Sequence, residues 1–420
     1  MPRLRILGGP GYYPGTIQLC RPPLPELTQL SEKLSSTLAS GMLTKGEELA
    51  GFEADVAQLM GVKYAFGVSS CTMGLALSLA SLKKIRYDAE TDREKKDMFR
   101  LGAKHKIAVP SFTFLASVTS SVWAGFEPVF IDADLRTYNL SIADLEKKLT
   151  DDIFAIVFTH VFGSPTGIDQ VLNIASKRNI PVVFDAAHGF GILHGGKPVG
   201  SEGMASSFSL TPTKLLTSGE GGFVTTNNEQ MALNLRVLRE YGNKASEQGD
   251  QDTVYPGLNG RMSELHAILG RWGLTRLEDE ATERNRRVKL YKDKLSQVQG
   301  LAYQVIADED RCSYKDFGIR IDESRFGLSR NELLKVLSVE NIQCKPYFSH
   351  PVHTHSYFSS GGSEQEDTCP NATRLSKEVI CPPLFGTMTD AQQNAVIGAI
   401  IEAHSKAPEI RKKLDGKGTA

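Results

Sequence analysis

Two residues, Asp185 and Lys214, stand where charge is otherwise scarce. Asp185 ends the apolar run IPVVFDA, and a carboxylate at the end of a buried parallel strand lies at the sheet edge where α/β proteins bind ligands. The same position also suits a helix N-cap or a loop anchor. Lys214 follows SSFSLTPT and precedes LLTSGEGG, so it is either partly buried against a pocket or an ordinary loop lysine. A buried lysine loses proton affinity and forms a Schiff base with an aldehyde, while an acid nearby keeps a pyridine nitrogen protonated. Asp plus Lys is the minimal apparatus for pyridoxal phosphate.

Other residues extend that chemistry, each with a plainer reading beside it. In SSCTMG, Thr72 and Met73 open a helix over 72–82, so their amides and the Thr72 hydroxyl suit an anion such as phosphate, or form an ordinary Ser/Thr cap. His160, ending IVFTH, is a pocket-edge candidate. Arg261, in GLNGRMSE, suits either an anionic part of a substrate or a structural ion pair. The segment YFSHPVHTHSYF carries His350, His353 and His355; with no accompanying Cys or acidic cluster, it reads as a loop bordering the substrate pocket, with Tyr347 and His353 as contacts, ahead of a metal site. No metal is expected.

The elements around these residues alternate. Strand candidates YAFGVSS, HKIAVPS, EPVFIDA, IFAIVFTH, IPVVFDA, SSFSL and GGFVTTN are interleaved with helix candidates at CTMGLALSLASL and around 112–124, 141–149 and 168–178. Such alternation predicts right-handed crossovers and a mostly parallel sheet sandwiched by helices. Residues 26–61 read as two helices, 262–298 as one long helical spine, and 300–400 as a smaller α+β lobe. The expected division is an N-terminal segment 1–50 packing with the small lobe, a large α/β domain 51–275 and a small domain 276–420. The charged interval 86–106, with AETDREKKD, is expected on the surface, and the tail RKKLDGKGTA is expected to fray.

Composition excludes several classes. A chain of 420 residues, 40% hydrophobic and 23% charged, has ample core for a folded body rather than a disordered one. Its 48 Lys+Arg against 49 Asp+Glu create no global field for nucleic acid or an anionic membrane. The six cysteines form no CxxC pair, and the N-terminus breaks into Gly and Pro before any signal core, so the expected setting is the cytoplasm. No stretch approaches the ~18 apolar residues of a membrane span.

From about residue 25 to 400 the chain resembles the DegT family of pyridoxal-phosphate-dependent sugar aminotransferases. The matching blocks are GMLTKGEELAGFE, VSSCTMGLALSLASL, VPSFTFLASVTSSVWAGFEPVFIDAD, FDAAHGFG, FSLTPTKLLTSGEGGFVTTN, REYGN and GLNGRMSELHAILG. The resemblance implies the fold shared with aspartate aminotransferase, fold type I, with a seven-stranded-type sheet and a smaller α+β domain. It further implies that Lys214 binds the cofactor covalently and moves protons, that Asp185 pairs with the ring nitrogen, and that His188 contacts the ring's phenolic oxygen. Thr72, Met73 and Ser209 would hold the phosphate, and Phe114 would stack on the ring; alone, Phe114 reads as core and His188 as a packing histidine. Cys71 and Met73 depart from the family's usual small residues in this loop. Asn259 matches an asparagine that reaches the phosphate in the neighbouring subunit, implying a homodimer with shared sites. Lys214 itself favours transamination, because dehydratase members carry histidine there.

The activity so implied is transfer of an amino group from glutamate or glutamine to a keto sugar nucleotide, a 4-keto-6-deoxy or 3-keto hexose, for antibiotic or surface polysaccharide assembly. Amination of a keto cyclitol for aminoglycosides is the alternative within enzymes. A non-catalytic regulator keeping the fold is the alternative outside them.

Overall fold

The computed structural model describes residues 2–103, 105–245, 251–359 and 367–415. Seven strands form the central sheet: β1 (Tyr64–Val68), β2 (His105–Pro110), β3 (Phe126–Ile131), β4 (Ile153–Thr159), β5 (Val182–Asp185), β6 (Ala205–Ser209) and β7 (Gly222–Thr226). Their order is β1-β7-β6-β5-β4-β2-β3. β3, β2, β4, β5 and β6 pair in parallel, and β7 alone runs against its neighbours β6 and β1. All residues of β5, β6 and β7 are buried, as a sheet covered on both faces requires.

The pleat sorts side chains to two cores. Ile156, Phe158, Phe184 and Phe208 face one side, where helix Glu47–Met60 sets Leu49, Phe52 and Val56 and helix Ile168–Lys177 sets Ile168, Val171 and Ile174. Ala155, Val157, Val183 and Ala205 face the other, against Leu75, Leu79 and Leu82 of helix Cys71–Ala89. Each large apolar side chain so buried contributes about 1.5–3 kcal/mol. Helix Cys71–Ala89 comes close to the sheet because Gly74 and Gly222 lack a Cβ. One at Gly222 would lie 2.3 Å from the Phe208 carbonyl oxygen and 2.8 Å from the Cys71 nitrogen, and one at Gly74 would lie 2.7 Å from Val224.

A second core joins the chain's two ends. Leu4, Ile6, Leu7 and Ile17 pack with Val288, Tyr291, Ile319, Leu333, Val396 and Ile410. This lobe holds a three-stranded antiparallel sheet of Leu301–Tyr303, Ile319–Ile321 and Val379–Ile380, with helices Arg330–Val339 and Asp390–Ser405. By contrast, helices Ser31–Ser40 and Glu47–Met60 pack against helix Glu264–Leu274.

Two expectations about elements are corrected. The spine expected over 262–298 is two helices, Glu264–Leu274 and Leu277–Lys294. Between them the amides of Thr275 and Arg276 bond three residues back, to Trp272 and Gly273, and the Thr275 hydroxyl also donates to the Trp272 carbonyl. The expected frayed tail is helical over Ala407–Asp415, because Ile410 is wholly buried in the second core. Residues 416–420 lie outside the described residues. Among the described residues, no helix is long and apolar enough to cross a membrane.

The topology leaves β1, β2, β4, β5 and β6 ending on one edge of the sheet. Ser70, Thr113, Thr159, Asp185 and Ser209 lie at or just beyond those ends.

Candidate active site

These strand ends open into a cavity of about 310 Å³, which the smaller lobe closes with Lys315, Asp316, Tyr347 and Phe348. Asp185, the last residue of β5, is 3% exposed. Its Oδ2 accepts from the Ser117 hydroxyl at 2.5 Å and its Oδ1 from the Ala187 amide at 3.0 Å. Cys71 Sγ lies 3.8 Å from Oδ1 and donates to the Ser207 carbonyl at 3.3 Å, so this departure from a small residue fills space beside the carboxylate. Burial pushes the Asp185 carboxyl up, and Ser117, Ala187 and Lys214 only partly offset it.

Lys214 lies on the loop after β6, in the same cavity. Burial, then the neighbouring Lys315 charge, lowers its ammonium to about 8. An amine so tuned is still mostly protonated at pH 7 but yields its unprotonated, nucleophilic form far more readily than an ordinary lysine. His188 is held far below its ordinary value by burial, then by Lys214 and Lys315, so it is neutral. The Phe162 amide donates to its Nδ1 at 3.2 Å, which leaves Nε2 as the protonated, donating nitrogen.

The helix Cys71–Ala89 starts at the cavity. Ser70 caps it by accepting from the Met73 amide at 3.1 Å. Met73 was expected among the anion donors; that bond takes its amide, and its side chain packs with the second face's core. Thr72 is exposed at the first turn and lines the cavity, beside the positive end of the helix dipole. Ser209, Thr211 and Thr213 add hydroxyls to the same wall, with Ser209 Oγ 3.4 Å from Thr211 Oγ1. Phe114 lines the cavity too, yet is 54% exposed, so it is not core. Tyr347 lines the opposite side.

Four residues lie elsewhere. His160 is 1% exposed, bonds the Ser164 carbonyl through Nδ1 at 3.1 Å and stacks on Phe184, outside the cavity lining. Successive strand residues point to opposite faces, so Thr159 faces the cavity and His160 turns away. His353 ties its loop down, its Nδ1 bonded to Ser111 at 2.5 Å and its Nε2 to Asp367 at 3.0 Å. Arg261 pairs with Glu240 at 2.8 Å and lies over the Tyr241 ring. Asn259 is exposed and outside the cavity of its own chain.

The cavity also contains groups that the motifs do not single out: Thr159, Thr211, Thr213 and the Lys315–Asp316 pair, with Ser117 behind Asp185. Thr211 and Thr213 were legible as hydroxyls flanking the lysine in SLTPTK. Lys315 and Asp316 carry no local signal, since only the packing of the second lobe brings them here.

Known proteins share this chain's sequence and overall fold. The model of the DegT/DnrJ/EryC1/StrS aminotransferase family matches residues 27–401. The spore coat polysaccharide biosynthesis protein SpsC of Bacillus subtilis is 30% identical over 378 residues, 88% of this chain and 92% of that one. GDP-perosamine synthase of Caulobacter vibrioides is 31% identical over 84% of this chain and 90% of its own length. The crystal structure of DesI, determined in the presence of its TDP-sugar product, superposes with a TM-score of 0.83 at 26% identity, covering 98% of this chain and 99% of that one. With the family model matching residues 27–401, nearly the whole chain, this chain belongs to the DegT/DnrJ/EryC1/StrS aminotransferase family and is a transaminase.

Proposed function

We propose that this chain uses pyridoxal phosphate to move an amino group from glutamate or glutamine to a keto sugar carried on a nucleoside diphosphate. The observation that carries the reading is Asp185: a buried carboxylate whose donors, Ser117, Ala187 and the Cys71 thiol, are all neutral, with, among the described residues, no lysine or arginine bonded to it. A protonated pyridine nitrogen is the cation such a group lacks. The remaining donors fit the same molecule. Thr72, the free first-turn amides and Ser209 suit its phosphate, the Nε2–H of neutral His188 suits its phenolic oxygen, Phe114 supplies an aromatic face, and Lys214 an amine for its aldehyde. Relatives support the sugar: one is named GDP-perosamine synthase, and DesI was crystallised with a TDP-sugar product.

When bound, pyridoxal phosphate supplies an aldehyde that accepts amines and a ring that delocalises an electron pair. This chain's residues do the rest. Asp185 keeps a proton on the ring nitrogen, and Ser117 and the Ala187 amide hold the carboxylate in place. Lys214 Nζ would hold the aldehyde and would carry the proton from the donor's reacting carbon, with the reverse role in the second half-reaction. The exposed Asn259, outside its own cavity, supports a homodimer in which each chain completes its partner's site.

The test is spectroscopic. Purified protein loaded with pyridoxal phosphate is expected to show visible absorption that bleaches with glutamate or glutamine and returns with a nucleotide-linked keto sugar. Protein that takes up no cofactor, or whose absorption neither donor changes, would remove the proposal; recovery by an inosose alone would replace the sugar with a cyclitol. A second expectation concerns Ser117. A hydrogen bond to a charged acceptor is worth about 1.5–3 kcal/mol, so Ser117→Ala should weaken cofactor binding about tenfold or more. Equilibrium dialysis measures this, and unchanged affinity would reduce Ser117 to packing.

A further inference from the structure

We propose that Lys315 anchors the α-carboxylate of the amino-acid donor, an assignment that rests on the amino-acid donor reading above. Among the residues lining the cavity there are two lysines and no arginine. Lys214 is committed to the cofactor's aldehyde, and His188 is neutral. Both proposed donors carry an α-carboxylate one bond from the reacting carbon. In a chamber of about 310 Å³, the remaining cation is the group within reach of that charge.

Its surroundings favour a ligand over a purely structural part. The Lys315 side chain is 4% exposed and its Nζ bonds Asp316 at 2.7 Å, itself 6% exposed. Replacing a buried ion pair by apolar groups of similar volume is often neutral or stabilising, so stability alone does not account for two charges facing a cavity. An ammonium has three N–H groups. One serves Asp316, the Tyr347 ring lies 4.9 Å away, and among the described residues no other acceptor is bonded to it.

Position supports the same role. Phe162 links the second lobe to His188: its amide donates to His188 Nδ1 at 3.2 Å and its carbonyl accepts from the Lys315 amide at 3.1 Å. Lys315 is thereby held beside His188, the residue expected at the phenolic oxygen next to the aldehyde. The phosphate donors at the start of helix Cys71–Ala89 are a separate cluster. Burial works against the Lys315 ammonium, but Asp316 more than offsets it, so the charge persists.

The test compares two donors on cofactor-loaded protein: L-glutamate, and L-isoglutamine, in which the α-carboxylate is an amide. Bleaching of the visible absorption gives a half-saturating concentration for each. Wild-type protein is expected to need about 10- to 100-fold more isoglutamine, the loss of one charge-assisted hydrogen bond. Lys315→Met should raise the glutamate value by a similar factor and leave the isoglutamine value within about threefold, both read on fully cofactor-loaded protein; Lys315→Arg should recover most of the loss. Because Lys315→Met strands Asp316, Lys315→Met with Asp316→Leu is the companion variant. Equal use of both donors by wild-type protein, or equal weakening of both in the variants, overturns the assignment. If wild-type protein responds to neither donor, the donor reading falls and takes the role of Lys315 with it.

Discussion

Lys214→Ala is expected to lower turnover at least about a thousandfold while the protein still binds pyridoxal phosphate. On the proposed mechanism the side chain does two jobs, holding the aldehyde and carrying the proton, and general acid–base catalysis alone contributes about 10²–10⁴. Affinity survives because the helix terminus at Cys71, the hydroxyls of Thr72 and Ser209, and Asp185 do not depend on it. The wild-type protein adds a pH signature. With the ammonium near 8, a protonated and unreactive lysine dominates below that value, so the rate of cofactor capture should rise about tenfold per pH unit and level off above about 8. In Lys214→Ala that pH dependence should vanish. Stopped-flow absorbance for capture, dialysis for affinity and product analysis for turnover separate these effects. Unchanged turnover would show that another amine does the work.

The same lysine shows why part of the site was legible in advance. Lys214 and Asp185 stand out because buried parallel strands are nearly uncharged, so a charge at their ends is conspicuous, and the apolar runs that reveal it also reveal the sheet. Parity of the pleat was not legible at β4. At its end, Thr159 and His160 are adjacent, and only pairing with β5 decides that Thr159 faces the cavity. At Met73 the cap is the competing feature: Ser70, as N-cap, accepts from the third helical amide, the Met73 amide that the sequence offers to an anion. His353 draws attention as part of a histidine cluster, yet its two ring nitrogens are spent on Ser111 and Asp367. Lys315 and Asp316 had no motif at all. They belong to the second core's lobe and reach the cavity only through tertiary packing, which periodicity does not encode.

Asp185→Asn is the substitution expected to separate catalysis from folding most sharply. The amide is nearly the same shape and retains an oxygen for the Ala187 amide, but it carries no charge to keep a ring nitrogen protonated. A unit charge pair at 4 Å is worth about 4 kcal/mol at an effective dielectric constant near 20, so the variant should lose roughly a thousandfold in turnover. Stability of the cofactor-free protein should move the other way. Burial raises the Asp185 pKa, so the folded chain holds that proton more tightly than the unfolded chain does. The resulting stability is complete below the unfolded value and is lost as pH rises through the folded one, so near neutral pH the buried carboxylate is a burden. An asparagine there removes the burden, and the cofactor-free Tm at neutral pH should be unchanged or higher, converging on wild type in acid. A lower Tm at neutral pH would mean that the carboxylate is compensated within the chain itself, and the case for a cationic ring at Asp185 would lose its footing.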